Sequence, residues 1–465
     1  MPATAFRFGS SVANLGDLDS DGRNEIAVGS PWEDYDGIND TGGVLVLSLS
    51  AEGTVTQQDS LFTAGNNGGF VARSSEYMGF GLSSADVDGD GQLELLVGSP
   101  RLNDYGSVVV AWIFPSNRTI SRTSVLSRST GGFAGVFPQK TWFGFAVAAV
   151  GTSISPSVPG GDGGRRSQIA IGAFNCRVAD FVTGCVWISS IDSNGRSTGR
   201  DIMIGPGEGG MAAGSAQEFN RLGRSVAGSG DLDGDGVDDV ATGAYWFGAT
   251  GEESGAVFIF FLRPDNTAKN IRLLSSASGP ASLRRFVFPG SRTGHGLAAG
   301  DLDGDGLTDL LVGQERGNST ASSSLEGQLL LLTAVMEAAG RVTSSSQLQW
   351  NGDTRLPASE YPTLAGFGSC VAAIGDVDGD GHEDLFVSAA GDGTSEKPEK
   401  GYVLFSESHT GSSFDRWQNI SSGFGQPVGF GVACAGVGDM DSNGVPDMLV
   451  GIAGDPSSQS TGGSI

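Results

Sequence analysis

The nine residues from Asp231 to Asp239, DLDGDGVDD, place carboxylates at positions 1, 3, 5 and 9 of a short loop with glycine at position 6. Oxygens gathered by one turn are the donor set that a hard divalent cation, calcium above all, requires. Variants recur at Asp17–Glu25 (DLDSDGRNE), Asp86–Glu94 (DVDGDGQLE), Asp301–Asp309 (DLDGDGLTD), Asp376–Asp384 (DVDGDGHED) and Asp439–Asp447 (DMDSNGVPD), which makes six copies. One acidic turn is ordinary, because Asp and Gly favour turns in any context. The same spacing six times over points to metal.

Side-chain ligands are assigned at Asp17, Asp19, Asp21 and Glu25; Asp86, Asp88, Asp90 and Glu94; Asp231, Asp233, Asp235 and Asp239; Asp301, Asp303, Asp305 and Asp309; Asp376, Asp378, Asp380 and Asp384; and Asp439, Asp441, Asn443 and Asp447. A backbone carbonyl at position 7 completes each set, from Arg23, Gln92, Val237, Leu307, His382 and Val445. The last loop is the weakest, because Asn443 replaces an acid. An EF-hand shares the DxDxDG opening but closes with Glu at position 12, and here that position holds Val28, Val97, Thr242, Val312, Val387 and Val450. Closure therefore falls to position 9. The expected cofactor is about six Ca²⁺ ions in a structural role, each tying two strands together, with affinity in the extracellular range of roughly 10⁻⁴ to 10⁻³ M or somewhat tighter.

The loops also account for much of the charge. The chain of 465 residues carries a net charge of −26, and 23 acidic side chains occupy the ligand positions. Six divalent ions would add twelve positive charges and bring −26 to −14. Without metal, neighbouring carboxylates repel by about 1 kcal/mol per pair in water and more where partly buried, so the loops should loosen. Such an acidic chain has no basic face for phosphates, which argues against nucleic acid. No apolar run approaches the ~18 residues needed to cross a bilayer, so no direct membrane insertion is expected. The amino-terminal MPATAFRFGSS has no apolar core and does not read as a signal peptide; a secreted protein would be represented here by its mature part.

Elements that hold such loops follow from their flanks. A strand of small residues such as FGSSVANLG (8–16) enters the loop and EIAVGSP (25–31) leaves it; a third strand such as GGVLVLSLS (42–50) and a more polar fourth such as TISRTSVLS (119–127) follow. Loop spacing is 63 to 75 residues with one gap of 145, which a degenerate unit fills through WFGFAVAAVG (142–151) and SQIAIGAF (167–174). With Asp162 as the only acid of its insertion, that third unit has lost its metal site. Seven units of four antiparallel strands, with 76 glycines concentrated where chains crowd, describe an all-β, seven-bladed β-propeller. Approximate blades are 1–70, 71–135, 136–215, 216–285, 286–358, 359–422 and 423–465, the last incomplete because TGGSI stops within its third strand.

FG at the head of the first strand, DxDxDGxxD in the loop and VGSP or TGA after it resemble the FG-GAP repeats of integrin α-subunit propellers and related extracellular proteins. The resemblance spans essentially the whole chain. It implies calcium loops on a lower face and ligand contacts on the opposite, upper face. Integrin propellers usually carry three or four such loops, in later blades, and some have a domain inserted between the second and third units; this chain has six loops and no such insertion. The family's aromatic cage for a cationic residue of the β-subunit is matched by Tyr77 and Trp142, whereas Arg7, Arg221, Arg292, Gly366 and Gly429 depart from it. A stand-alone FG-GAP protein is expected rather than a heterodimer.

Cys176 and Cys185 flank a loop where two adjacent strands should face each other, so a disulfide worth about 2 to 3 kcal/mol is expected. Cys370 and Cys434 lie three and four residues after their FG phenylalanines, which turns them to opposite faces and predicts buried free thiols. Sequons at Asn39, Asn117, Asn318 and Asn419 are consistent with a glycosylated, extracellular or cell-surface protein. The three histidines, His295, His382 and His409, neighbour no nucleophile in sequence, and the metals read as fully coordinated, so no enzyme is expected. Loops 31–37, 133–142, 245–248 and 284–288 offer aromatics and arginines of the kind that anchor interfaces. The sequence thus predicts an extracellular adhesion or recognition module for a protein or glycan. Alternatives are a structural unit of a larger extracellular assembly and an accessory domain of a secreted hydrolase, as in phospholipase D relatives with FG-GAP repeats.

Overall fold

The computed structural model describes residues 8–34, 38–51, 53–62, 74–101, 105–135, 140–154, 165–178, 181–212, 221–248, 254–278, 287, 290–302, 308–315, 328–332, 336–337, 341–342, 366–389, 400–406, 416–420 and 429–453. These residues form seven sheets of consecutive antiparallel strands and two short hairpins. Five sheets have four strands; in the first they are Ser11–Asn14, Ile26–Ser30, Gly43–Leu49 and Val55–Leu61, from inside outward. The second, third, fourth and sixth sheets begin with innermost strands Leu82–Ala85, Ala146–Ile154, Ser225–Gly228 and Phe367–Gly375. The fifth shows three strands from Thr293–Gly300 outward, and the seventh shows two, Phe430–Gly438 and Asp447–Ile452. The degenerate unit thus builds a full blade, in which the insertion at 155–164 lies outside the described residues. The expected outer part of the last blade also lies outside them.

Burial explains the order of the strands. Third strands are buried throughout, as in Gly43–Leu49, Ser107–Ile113 and Cys185–Ile191, while the outer strand Val55–Leu61 is exposed over its first four residues. Because successive side chains of a strand point to opposite faces, each third strand feeds two cores. Val44 and Val46 pack toward the second sheet beside Leu95 and Val109, whereas Leu45 and Leu47 pack toward the seventh beside Val437 and Leu449. Seven such clusters lie between neighbouring sheets, and the one joining the seventh to the first closes the ring.

Glycine sets how closely the blades approach. A Cβ added at Gly243, on the second strand of the fourth sheet, would lie 1.9 Å from the carbonyl oxygen of Gly294, the FG glycine of the fifth. The same clash, at 1.9 to 2.1 Å, recurs between Gly29 and Gly79, Gly98 and Gly144, Gly172 and Gly223, and Gly313 and Gly368, and around the closure between Gly451 and Gly9. The sixth sheet has Ser388 instead, and its hydroxyl donates to Gly431 O at 2.7 Å. The glycines of both halves of the repeat are therefore blade-to-blade contacts.

Both cysteine pairs are bonded. Cys176–Cys185 forms as expected, with Cα atoms 5.7 Å apart. Cys370 and Cys434, expected as free thiols, are joined as well, with Cα atoms 6.0 Å apart. The expectation treated opposite faces as separating them. They sit on innermost strands of adjacent blades, however, and one blade's left face meets its neighbour's right face, so the one-residue offset turns the sulfurs toward each other.

Candidate metal centres and the channel mouth

Each acidic loop joins the innermost strand to the second, so all six lie at one end of the channel. Position 1 folds the loop by accepting backbone N–H groups: Asp17 accepts Asp21 N at 3.0 Å and Gly22 N at 2.9 Å, and Asp231, Asp376 and Asp439 repeat the pattern. Position 5 accepts from position 7, as Asp235 does from Val237 N at 3.0 Å. Asn443 does the same for Val445 N at 2.7 Å through its amide oxygen, so the loop tolerates the loss of that acid.

Position 9 is the anchor, buried in five loops and half-buried at Asp447. Glu25, Glu94, Asp239, Asp309, Asp384 and Asp447 each accept the N–H of position 2, at 2.6 to 3.1 Å. In three loops the second carboxylate oxygen reaches the third strand or the residue after it, accepting from Ser48 Oγ, Leu262 N or Ser406 N. Position 2 was not singled out from the sequence. Its side chain, as Leu18, Val87, Leu232, Leu302 or Met440, is buried in a core between blades. The signal was present in the motif itself, because this position is apolar in every copy.

The carboxylate oxygens converge. Atoms from Asp17, Asp19 and Glu25 lie within 4.8 Å of one another, as do those of Asp231, Asp233 and Asp239, of Asp376, Asp378 and Asp384, and of Asp439, Asp441 and Asp447. In the second loop the converging set is Asp86, Asp88 and Asp90. Positions 1, 3 and 9 therefore meet in four loops, with position 5 joining only in the second. In the fifth loop Asp303, Asp305 and Leu307 lie outside the described residues, which leaves Asp301 and Asp309.

These clusters call for positive charge. Burial pushes the carboxyls of Glu94 and Asp239 up to about 7 and that of Asp384 up to about 6, with neighbouring aspartates adding to the rise and the backbone N–H bonds opposing it. Glu25 is raised for the same reason. Basic side chains already lean on four loops: Arg118 on Asp19 and Glu25, Arg122 on Asp88 at 3.0 Å, Lys269 on Asp233 at 2.8 Å and on Asp235, and Arg416 on Asp378. An all-oxygen donor set that attracts cations and strains against its own charge fits a hard divalent ion.

The other end of the channel is chemically different. One residue per blade follows the FG glycine and lines a cavity of about 600 Å³: Phe80 and Phe145 on one side, Arg224 and His295 next, then Ser369, Val432 and Ser10. Rings cluster beside it, with Trp32 at 5.3 Å from Phe80, Phe80 at 4.3 Å from Phe145 and Phe145 at 4.1 Å from Phe174. The residues preceding the FG phenylalanine position, Tyr77, Trp142, Arg221 and Arg292, all have positive φ, which turns their side chains toward this rim. The aromatic faces carry the chain's own guanidinium groups: Arg101 lies 5.2 Å from Tyr77 and 6.0 Å from Trp142, and Arg221 lies 5.0 Å from Phe174 and 4.6 Å from Trp246. Of the loop aromatics expected at an interface, Trp32, Trp142, Tyr245 and Trp246 are at this rim. Phe133 and Phe247 are instead buried between blades, beside Trp187 and Phe258 respectively, and Tyr35, Phe137, 284–286 and Phe288 lie outside the described residues.

Comparison with known proteins agrees with this architecture. The FG-GAP repeat model matches residues 8–47, 78–111, 222–260, 293–324 and 367–405. Integrin alpha-V of Gallus gallus is 28% identical over 254 residues, covering 52% of this chain and 21% of the relative. Integrin alpha-PS2 of Drosophila melanogaster is 30% identical over 244 residues, covering 51% and 16%. The chain thus spans about a fifth of the relatives' length. The solved structure of rhamnogalacturonan lyase YesW aligns with a TM-score of 0.39 and 14% identity, over 91% of this chain and 67% of that one, a likeness too distant to bear on activity. With repeats matched on both sides of the degenerate blade, the chain is an FG-GAP repeat β-propeller, similar in sequence to the integrin α-subunits.

Proposed function

We propose that this propeller is a calcium-stabilised, non-enzymatic recognition module of the cell surface or extracellular space, which binds a protein or glycan through the rim opposite its acidic loops. The observation that carries this reading is the polarity of the innermost strands. In the second, fourth and fifth blades that strand runs from an aromatic or basic rim at its start to an acidic loop at its end, so scaffold and contact chemistry are separated there by the length of a strand. Ca²⁺ would be held by positions 1, 3 and 9, together with position 5 and the carbonyl at position 7. It would supply charge neutralisation and cross-link the strands flanking each loop. Two disulfides and the exposed sequon residues Asn39 and Asn117 suit such a setting.

Protein and glycan arrays probed with the intact chain in calcium test the proposal. Binding should be lost on Trp246→Ala at the rim and kept on Asp441→Asn at the far end, once both variants are shown to be folded. A partner that responds only to the acidic-loop change would overturn it.

A further inference from the structure

We infer that the channel mouth is a carboxylate-binding site which receives an acidic side chain from a partner protein; this rests on the recognition role proposed above. Arg224 is the centre of the argument. Its guanidinium lies 4.9 Å from the ring of Phe145 and 5.8 Å from that of Tyr245, and its Nη2 is 3.4 Å from His295 Nε2. His295 Nδ1 lies 3.2 Å from the carbonyl oxygen of Ser369, so Nδ1 carries the proton and Nε2 accepts from the arginine. Rings, the imidazole and a hydrogen bond with Tyr245 therefore fix the guanidinium, and Glu315 stands behind the imidazole, 4.0 Å from His295 Nε2. Among the described residues no carboxylate lies within ion-pair distance of Arg224, and Glu315, the acid that acts on it through space, pairs with Arg292 at 2.8 Å.

Guanidinium groups stacked on rings keep their in-plane N–H edge for a ligand, and that edge matches a carboxylate. A cavity of about 600 Å³ walled by Phe80 and Phe145 has room for a side chain with an apolar stem, not for a folded element. A cation is disfavoured on two grounds. Arg224 would repel it, and the cavity ring of Phe145 and the rim rings of Tyr77 and Phe174 already carry guanidinium groups, from Arg224, Arg101 and Arg221. In a chain of net charge −26 this mouth is a local cationic focus, so an acidic side chain is directed to one place on the surface.

The test is selection from a displayed random-peptide library on the intact, calcium-loaded protein, with a uronate-containing glycan array in parallel. Asp or Glu should be enriched at least tenfold over Asn, Gln, Lys and Arg at one peptide position. Arg224→Met should abolish that preference, and Arg224→Glu should reverse it toward Lys and Arg. Ser369→Asp, which places a carboxylate in the same mouth with Arg224 intact, should abolish it independently and guards against a folding defect in the arginine variants. Selection of cationic or uncharged peptides, or an acidic preference indifferent to both positions, would overturn the inference. Uronate binding that depends on Arg224, without peptide selection, would overturn the protein partner. A partner that binds the rim loops but ignores Arg224 and Ser369 would overturn the inference alone, whereas no binding at the rim at all would remove the recognition role beneath it.

Discussion

Cys370 and Cys434 are bonded across two blades, with Cα atoms 6.0 Å apart on the innermost strands of the sixth and seventh sheets. Their bond locks the seam next to the ring closure, where the seventh sheet meets the first. The closed loop spans a sequence separation of 64, for which chain-entropy arguments give about 4 kcal/mol. Replacing both cysteines by serine should therefore lower the urea midpoint clearly, and denatured wild-type protein should show no titratable thiols. Two or more titratable thiols in the wild type, or an unchanged midpoint, would count against the bond.

Blade contact through glycine makes a sharper prediction. Gly243→Ala forces a methyl group onto the Gly294 carbonyl, a backbone atom that cannot swing aside. Overpacking of this kind costs about 1 to 3 kcal/mol, so melting should fall by several degrees. Ser388→Gly, at the equivalent place in the sixth blade, should cost less, because it removes a hydroxyl bond rather than creating a clash. Equal melting of wild type and Gly243→Ala would refute the contact.

Buried position 9 should matter structurally even when calcium is present. Asp384 accepts Val377 N and Ser406 N, both at 2.9 Å. Asp384→Ala strands two buried donors, at about 1 to 3 kcal/mol each, while Asp384→Asn retains one acceptor and should lose less. Urea unfolding in saturating calcium measures the ranking; an alanine variant as stable as the asparagine variant would contradict it.

The shifted carboxyls fix a pH dependence with a definite sign. Glu94 and Asp239 stand at about 7 and Asp384 at about 6, above the ~4 of an unfolded chain. Between those limits the folded state holds protons that the unfolded chain has released. The metal-free protein should accordingly lose stability as pH rises from about 4 through 7. Bound calcium favours the ionised carboxylates and should abolish or reverse the trend. Melting temperatures from pH 5 to 8, in chelator and in calcium, test this; a metal-free curve that rises with pH would be the opposite sign.

The fold was legible because its determinants are local and repeated. Small residues, acidic loop, VGSP and apolar third strand recur in order, and even the degenerate blade kept enough of them to be counted. Position 9 was legible as a ligand but not as the clasp that holds position 2, because that bond is visible only once the loop is folded. The Cys370–Cys434 bond escaped because facing in a propeller is decided between blades, whereas the spacing after each phenylalanine describes one strand. Arg101, Arg221 and Arg224 escaped for a related reason: each lies between an aromatic of its own unit and one of a neighbouring unit. What repetition within the chain reveals is the scaffold, and what differs between units at the rim is where binding chemistry is found.

The most direct test of the account is calorimetric melting of the intact chain in millimolar calcium against chelator, paired with a calcium titration. Six acidic loops, five of them with converging carboxylates among the described residues, predict heat uptake at several sites and a melting temperature that rises by many degrees with calcium, less so when Asp231 and Asp376 are both changed to Asn. No calcium binding, together with identical melting in calcium and chelator, would contradict the claim that these loops are metal clasps.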